Sequence, residues 1–64
     1  MKLWQLLEMI SDETNVIIAD AENNEIARYD GRESIPSEYG IANIMEISAY
    51  TEGDKAVMRI QTWY

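Results

Sequence analysis

Apolar and polar positions alternate most clearly from Ile44 to Tyr64, and the alternation predicts a β-hairpin. Glu52-Gly53-Asp54-Lys55 is a turn signal with Gly at the first central position, as a type II′ loop wants. With Gly53-Asp54 as the loop, Glu52 faces Lys55, Tyr50 faces Val57, and Ala49 faces Met58. Further out, Ser48 faces Arg59, Ile47 faces Ile60, Glu46 faces Gln61, Met45 faces Thr62, and Ile44 faces Trp63. Strand side chains alternate with period two. Met45, Ile47, Ala49, Met58, Ile60 and Thr62 therefore share one apolar face. Ile44, Glu46, Ser48, Tyr50, Val57, Arg59, Gln61 and Trp63 share the other, mixed one. A one-residue slip would set Ile47 against Gln61 or Arg59, so the register is specified.

Before this hairpin the period changes. Leu3, Leu6, Leu7 and Ile10 follow the i, i+3, i+4, i+7 spacing of a helix with one buried stripe, over residues 2–11, with Trp4 at the border. A helix of about ten residues spans only roughly 15 Å and is marginal alone in water, so it must dock on the sheet. Ser11-Asp12-Glu13-Thr14-Asn15 ends it. Val16-Ile17-Ile18-Ala19 is a β-branched strand, and Ile26-Ala27-Arg28-Tyr29 is its return. Their register stays open. A two-residue Asn23-Asn24 loop pairs Ile18 with Tyr29, and a three-residue loop pairs Ile17 with Tyr29. Asp30-Gly31-Arg32-Glu33 is a turn. Ser34 to Gly40 reads as one helical turn, with Pro36 near its start, Ser34 or Ser37 as cap and Gly40 as stop. The expected fold is α+β: an N-terminal helix on a four-stranded, mainly antiparallel sheet made of two hairpins, in one domain spanning 1–64. The thirteen residues 31–43 between the hairpins also allow a parallel central pair. Ile47 and Ile60 are expected at the centre of the core, against Leu3, Leu6 or Leu7.

Composition narrows the functional classes. Twelve acids face five bases, for a net charge of −7, with no His and no Cys. Without His or Cys, no Ser-His or Cys-His nucleophile–base pair forms, so no enzyme is expected. Asp20-Ala21-Glu22-Asn23-Asn24-Glu25 offers oxygens, but an EF-hand loop wants Gly at its sixth position and Glu at its twelfth. Glu25 and Gly31 stand there instead. No cofactor or metal is expected, and no Gly-rich phosphate loop or basic patch is present. The charge repels nucleic acid and anionic membrane and favours a basic partner. No apolar run reaches a membrane span. Gln5 and Glu8 interrupt any signal-peptide core, so a cytoplasmic location is expected.

Two surface features are candidate contact sites. An up-and-down meander would bring both hairpin tips to one end of the sheet. That end would gather Asp20, Glu22, Glu25, Glu52 and Asp54, with Lys55 nearby. Asp12, Glu13, Asp30, Glu33 and Glu38 would gather at the other end, with Arg32. Such charge keeps a small protein soluble; it also suits a basic groove, with carboxylates standing in for phosphates. The second feature is aromatic. Ile44, Tyr50, Val57 and Trp63 fall on the face away from the helix. Either residues 31–43, with Ile35, Tyr39 and Ile41, fold back over them, or the patch is a partner or homodimer surface. The expected partner-binding residues are Asp20, Glu22, Glu25, Glu46, Glu52, Asp54, Tyr50 and Trp63.

The whole frame also carries a resemblance. A leucine-rich opening helix is followed by Asp12-x-Thr14-x-Val16-x-Ile18, then Glu25-Ile26-Ala27-x-Tyr29-Asp30-Gly31, then Ile35-Pro36-x-Glu38, then a closing hairpin. In this it resembles small acidic proteins encoded by phages and mobile elements of Gram-positive bacteria. Some of these are anti-CRISPR or other anti-defence inhibitors that block a nucleic-acid-binding surface. The resemblance implies an inhibitor acting in the host cytosol on a host protein with a basic surface. It carries over no binding residue.

Overall fold

Strands β1 (Asn15–Ala19) and β2 (Glu25–Tyr29) form one hairpin, and β3 (Ile44–Glu52) and β4 (Lys55–Thr62) form the other. The computed structural model describes residues 1–11, 13–30 and 34–64. Asp12, Gly31, Arg32 and Glu33, with their places in the expected turns and acidic end, lie outside the described residues. The hairpins join in a four-stranded sheet of order β2-β1-β4-β3. Two short helices, α1 (Leu3–Leu7) and α2 (Ser37–Gly40), complete an α+β fold.

The sheet is mixed, not mainly antiparallel throughout: its central pair, β1 and β4, is parallel, with Ile18 beside Ile60. The reason lies between the hairpins. β2 and β3 occupy opposite edges of the sheet. In the described part of the intervening chain, Ile35 and Tyr39 pack on the core, on the face that carries α1. β4 then returns to the middle beside β1. Parallel pairing has a second consequence. The β1–β2 turn follows β1, whereas the β3–β4 turn precedes β4. The two tips therefore lie at opposite ends of the sheet, not together.

The second hairpin keeps its expected register from Glu52 with Lys55 through Glu46 with Gln61. Gly53 takes φ +65°, while Asp54 does not enter the positive-φ region, which fits a type II′ loop. Beyond Glu46 a bulge intervenes, and Ile44 pairs with Thr62. The expected pairs Met45 with Thr62 and Ile44 with Trp63 are thus replaced. One extra residue flips the chain's facing, and Ile44 packs against the core instead of joining the far face. In the first hairpin neither expected register occurs. Val16 pairs with Tyr29, and a bulge between Ile18 and Ala19 leads to Ala19 with Glu25. The longer loop is held by Asp20. Its Oδ1 accepts hydrogen bonds from the backbone N–H of Glu22 (3.0 Å) and Asn24 (2.9 Å), an Asx turn that outcompetes a tight two-residue connection.

The core lies between the sheet and α1. Leu3, Leu7, Val16, Ile18, Tyr29 and Ile60 are buried there, and Leu6 and Ile10 pack on them. The α-helical stretch is shorter than residues 2–11. After Leu7 the chain tightens, with Met9 N–H on Leu6 and Ile10 N–H on Leu7, so the apolar stripe continues on i→i−3 bonds. At the other end the Gln5 side chain accepts from the Lys2 N–H at 2.8 Å, one half of a capping box. In α2 no side chain caps the start, and Pro36 is the N-cap. The Ser34 hydroxyl instead accepts from the Asp30 N–H at 2.7 Å. Gly40 stops nothing through a left-handed turn. Its hydrogen faces Trp4, where an added Cβ would stand 3.4 Å from the Trp4 Cβ. Glycine there lets the two helices approach. Tyr64 closes this side: its hydroxyl donates to Glu38 Oε2 at 3.3 Å, and its ring meets Tyr39 edge-on at 4.6 Å. Partial desolvation raises the Tyr64 phenol above its usual value, and the Glu38 charge adds to this.

Ile47 is not a core residue. It does pair with Ile60, but it is 47% exposed on the edge strand, whereas Ile60 is 0% exposed. Among the described residues, no helix is long and apolar enough to cross a membrane.

Candidate functional site

The far face of the sheet is organised by two polar residues of β4. Arg59 Nε donates to Asn23 Oδ1 (2.9 Å) and Arg59 Nη2 donates to the Asn23 carbonyl (2.8 Å). Gln61 Nε2 donates to the Ala21 carbonyl at 3.0 Å. Together they draw the β1–β2 turn back over the face opposite α1. Asn23 can follow because it tolerates φ 67°. Among the described residues between the hairpins, the three expected to cover this face do not. Ile35 and Tyr39 pack on the α1 side, and Ile41 is 66% exposed.

Beyond this turn the far face opens into a shallow cleft of about 270 Å³. Buried Ile17 and Val57 line it with Asn15, and exposed Arg28, Glu52 and Lys55 surround them. Arg28 is engaged: it grips Glu25 with Nε on Oε2 (2.9 Å) and Nη2 on Oε1 (3.1 Å). Hydrogen bonding from Arg28 holds the Glu25 carboxyl below the usual carboxylate range, and the same bond raises the Arg28 guanidinium. A second, more apolar groove of about 370 Å³ lies between α1 and α2, along Trp4, Leu7, Ile35, Pro36, Gly40 and Ile41. Sequence reasoning missed this groove; Trp4 at the border of the helical stripe was its only signal.

The eight expected contact residues fall into separate places. Asp20, Glu22 and Glu25 lie at the β1–β2 turn, where Asp20 holds the turn and Glu25 holds Arg28. Trp63, 64% exposed, follows the end of β4 at that same end of the sheet. Glu46, Tyr50 and Glu52 share one side of β3 but are spread along it, with Glu46 opposite Gln61 and Glu52 opposite Lys55, and Asp54 lies in the adjoining turn at the far end. The expected five-acid cluster is therefore split in two by the parallel central pair. The aromatic patch is also reduced, because Val57 is buried and Ile44 has turned to the core.

What remains most accessible is β3 itself. It is nine residues long, and every residue from Glu46 to Glu52 is exposed. It carries two glutamates and no Lys or Arg. Among the described residues its outer neighbour is present only at its start: Leu3 N–H donates to the Ala42 carbonyl (2.9 Å) and Ile44 N–H to the Met1 carbonyl (3.0 Å), around an antiparallel Lys2–Asn43 bridge. Among the described residues no strand continues beside Glu46–Glu52. No group of three or more acidic side chains converges as a metal site among the described residues. No protein-family model matches this chain, and neither a curated protein nor a solved structure matches it.

Proposed function

We propose that this chain is a non-enzymatic interaction module that binds a basic surface of a host protein in the bacterial cytosol, as a phage-type anti-defence inhibitor of the anti-CRISPR kind does. The observation that carries the reading is the base-free edge strand. Glu46 and Glu52 stand on one side of β3 with Tyr50 between them, and Asp54 follows in the turn. Carboxylates spaced along an exposed strand oppose a cationic, phosphate-binding groove, and a net charge of −7 speeds the encounter. The reading takes no cofactor and no direct contact with nucleic acid.

Pull-down against host nucleases and repressors at low and high salt tests it. A partner should be retained at low salt, released at high salt, and lost from the Glu46→Lys/Glu52→Lys variant. Binding that is equally tight at high salt overturns the electrostatic mechanism.

A further inference from the structure

The outer edge of β3 is an unfinished ladder. In a two-residue hairpin the residues flanking the loop exchange both hydrogen bonds. Glu52, Tyr50, Ser48 and Glu46 therefore turn their backbone groups toward β4. Ile47, Ala49 and Thr51 turn theirs away from it. The bulge at Met45 resets this alternation, and the start of the strand agrees with it. The Asn43 carbonyl accepts from Trp63 on the β4 side, while the Ile44 N–H points outward to Met1. The fold thus already seats one antiparallel segment, Met1–Leu3, on this edge and leaves the next stretch open.

Natural edges are usually blunted by bulges, short length, lysine or proline. β2, at the opposite edge, is five residues long and carries a bulge of its own at Ile26. From Glu46 to Glu52, β3 has no bulge, no proline and no lysine.

We infer that the β3 edge from Ile47 to Thr51 takes up an extended antiparallel segment of a partner protein, with basic side chains on the Glu46–Glu52 side and apolar side chains on the Ile47 side. The inference rests on the basic-partner reading and adds its mode of binding. Charge selects the occupant. A second copy laid along the whole open stretch would be centred on Ala49 and would place Glu46 opposite Glu52 twice. Like charges directly opposite destabilise a strand pair, and each copy carries −7 overall. A strand with Lys or Arg opposite Glu46 and Glu52 reverses both terms. On the other side, half-exposed Ile47 gives an apolar partner residue something to cover. Main-chain bonds supply affinity in this mode, and alternate side chains supply specificity.

The probe is the peptide Lys-Val-Lys-Val-Lys-Val-Lys, set against the isomer Lys-Lys-Lys-Lys-Val-Val-Val of identical charge and composition. Amide exchange and chemical shifts of the isotopically labelled protein are followed by NMR. The alternating peptide should slow exchange at the Ile47, Ala49 and Thr51 amides by about tenfold or more. The block isomer should bind about tenfold more weakly or worse. Ala49→Pro, which removes an outward donor that β4 does not use, should abolish the difference between the two peptides. If that variant unfolds, protection in the wild type still decides the matter. Equal binding of the two peptides overturns strand addition and leaves the basic-surface reading standing. Binding without protection at these three amides, or no binding of either peptide, overturns it too, and the pull-down then judges the broader reading by itself. A dimer in sedimentation, with the three amides protected in the absence of peptide, places a second copy on the edge and overturns the partner-strand assignment.

Discussion

Ile60 has two isoleucine neighbours in its row of the sheet, Ile18 on β1 and Ile47 on β3. All three point toward the face that carries α1. Ile18 and Ile60 are fully buried, whereas Ile47 is 47% exposed. The side chains are the same, so the difference comes from position. Strands lie about 4.8 Å apart, and α1 has only five residues. Its leucines, with Ile35 and Tyr39, cover β2, β1 and β4, and of β3 only Ile44 packs on the core. In a protein of this size, strand order rather than side-chain pattern decides which half of a hairpin is core and which half is surface.

The sharpest way to break this comparison is to truncate both members of one pair. Ile60→Ala should cost about 2–5 kcal/mol through lost burial and a residual cavity. A domain this small holds only about 3–5 kcal/mol, so much of the population should unfold. Ile47→Ala should cost about 1 kcal/mol or less, since it removes half-exposed surface. Urea titrations followed by circular dichroism measure both. Similar losses would mean that β3 is covered as fully as β4.

A smaller effect tests the end of the central pair. Thr62 is fully buried, and its hydroxyl donates to the Ala19 carbonyl at 2.9 Å, tying β4 to β1. Thr62→Val keeps the volume and removes the donor, for an expected loss of about 1–2 kcal/mol. An unchanged urea midpoint would show that parallel pairing holds this end without the hydroxyl.

The turn folded over the far face comes next. Asn23→Ala forces a Cβ residue without a polar side chain into φ 67° and removes the Oδ1 bond to Arg59. Asn23→Gly loses that bond but keeps the conformation. The alanine variant should be the less stable by about 1 kcal/mol, the cost of the left-handed region for an ordinary residue. Equal thermal midpoints for the two would place the whole effect in the lost bond.

The smallest expected effect concerns Glu25 and Arg28 on the outer strand β2. The folded-state carboxyl lies below its unfolded value. Its contribution to stability is therefore present above the ordinary carboxylate range and lost as pH falls through the depressed folded value. Glu25→Gln should melt slightly below the wild type at neutral pH, and the two should converge in acid. The pair is exposed, so the gap should be small. A gap that persists at the lowest pH would show that the charge is not its source.

Much of this was legible in the chain alone. Alternation and the Gly53-Asp54 turn determined the β3–β4 register from Glu52 to Glu46, because a slip would bury polar groups. The leucine spacing determined which face α1 buries, even though its α-helical bonding ends early. The β-branched run Val16-Ile17-Ile18-Ala19 marked a strand, and the length between the hairpins allowed its parallel place at the centre of the sheet without choosing it. Tertiary structure decided the rest. Register in the first hairpin depended on Asp20 closing a longer turn and on Arg59 and Gln61 catching it from another strand. Ile44 changed faces through a bulge that alternation cannot reveal. The acidic residues separated because β1 and β4 run parallel, which sends the two turns to opposite ends of the sheet. Local pattern specifies which side chains share a strand face. Which strand lies beside which, and so which face or edge meets solvent, depends on contacts between residues more than forty positions apart, such as Thr62 with Ala19.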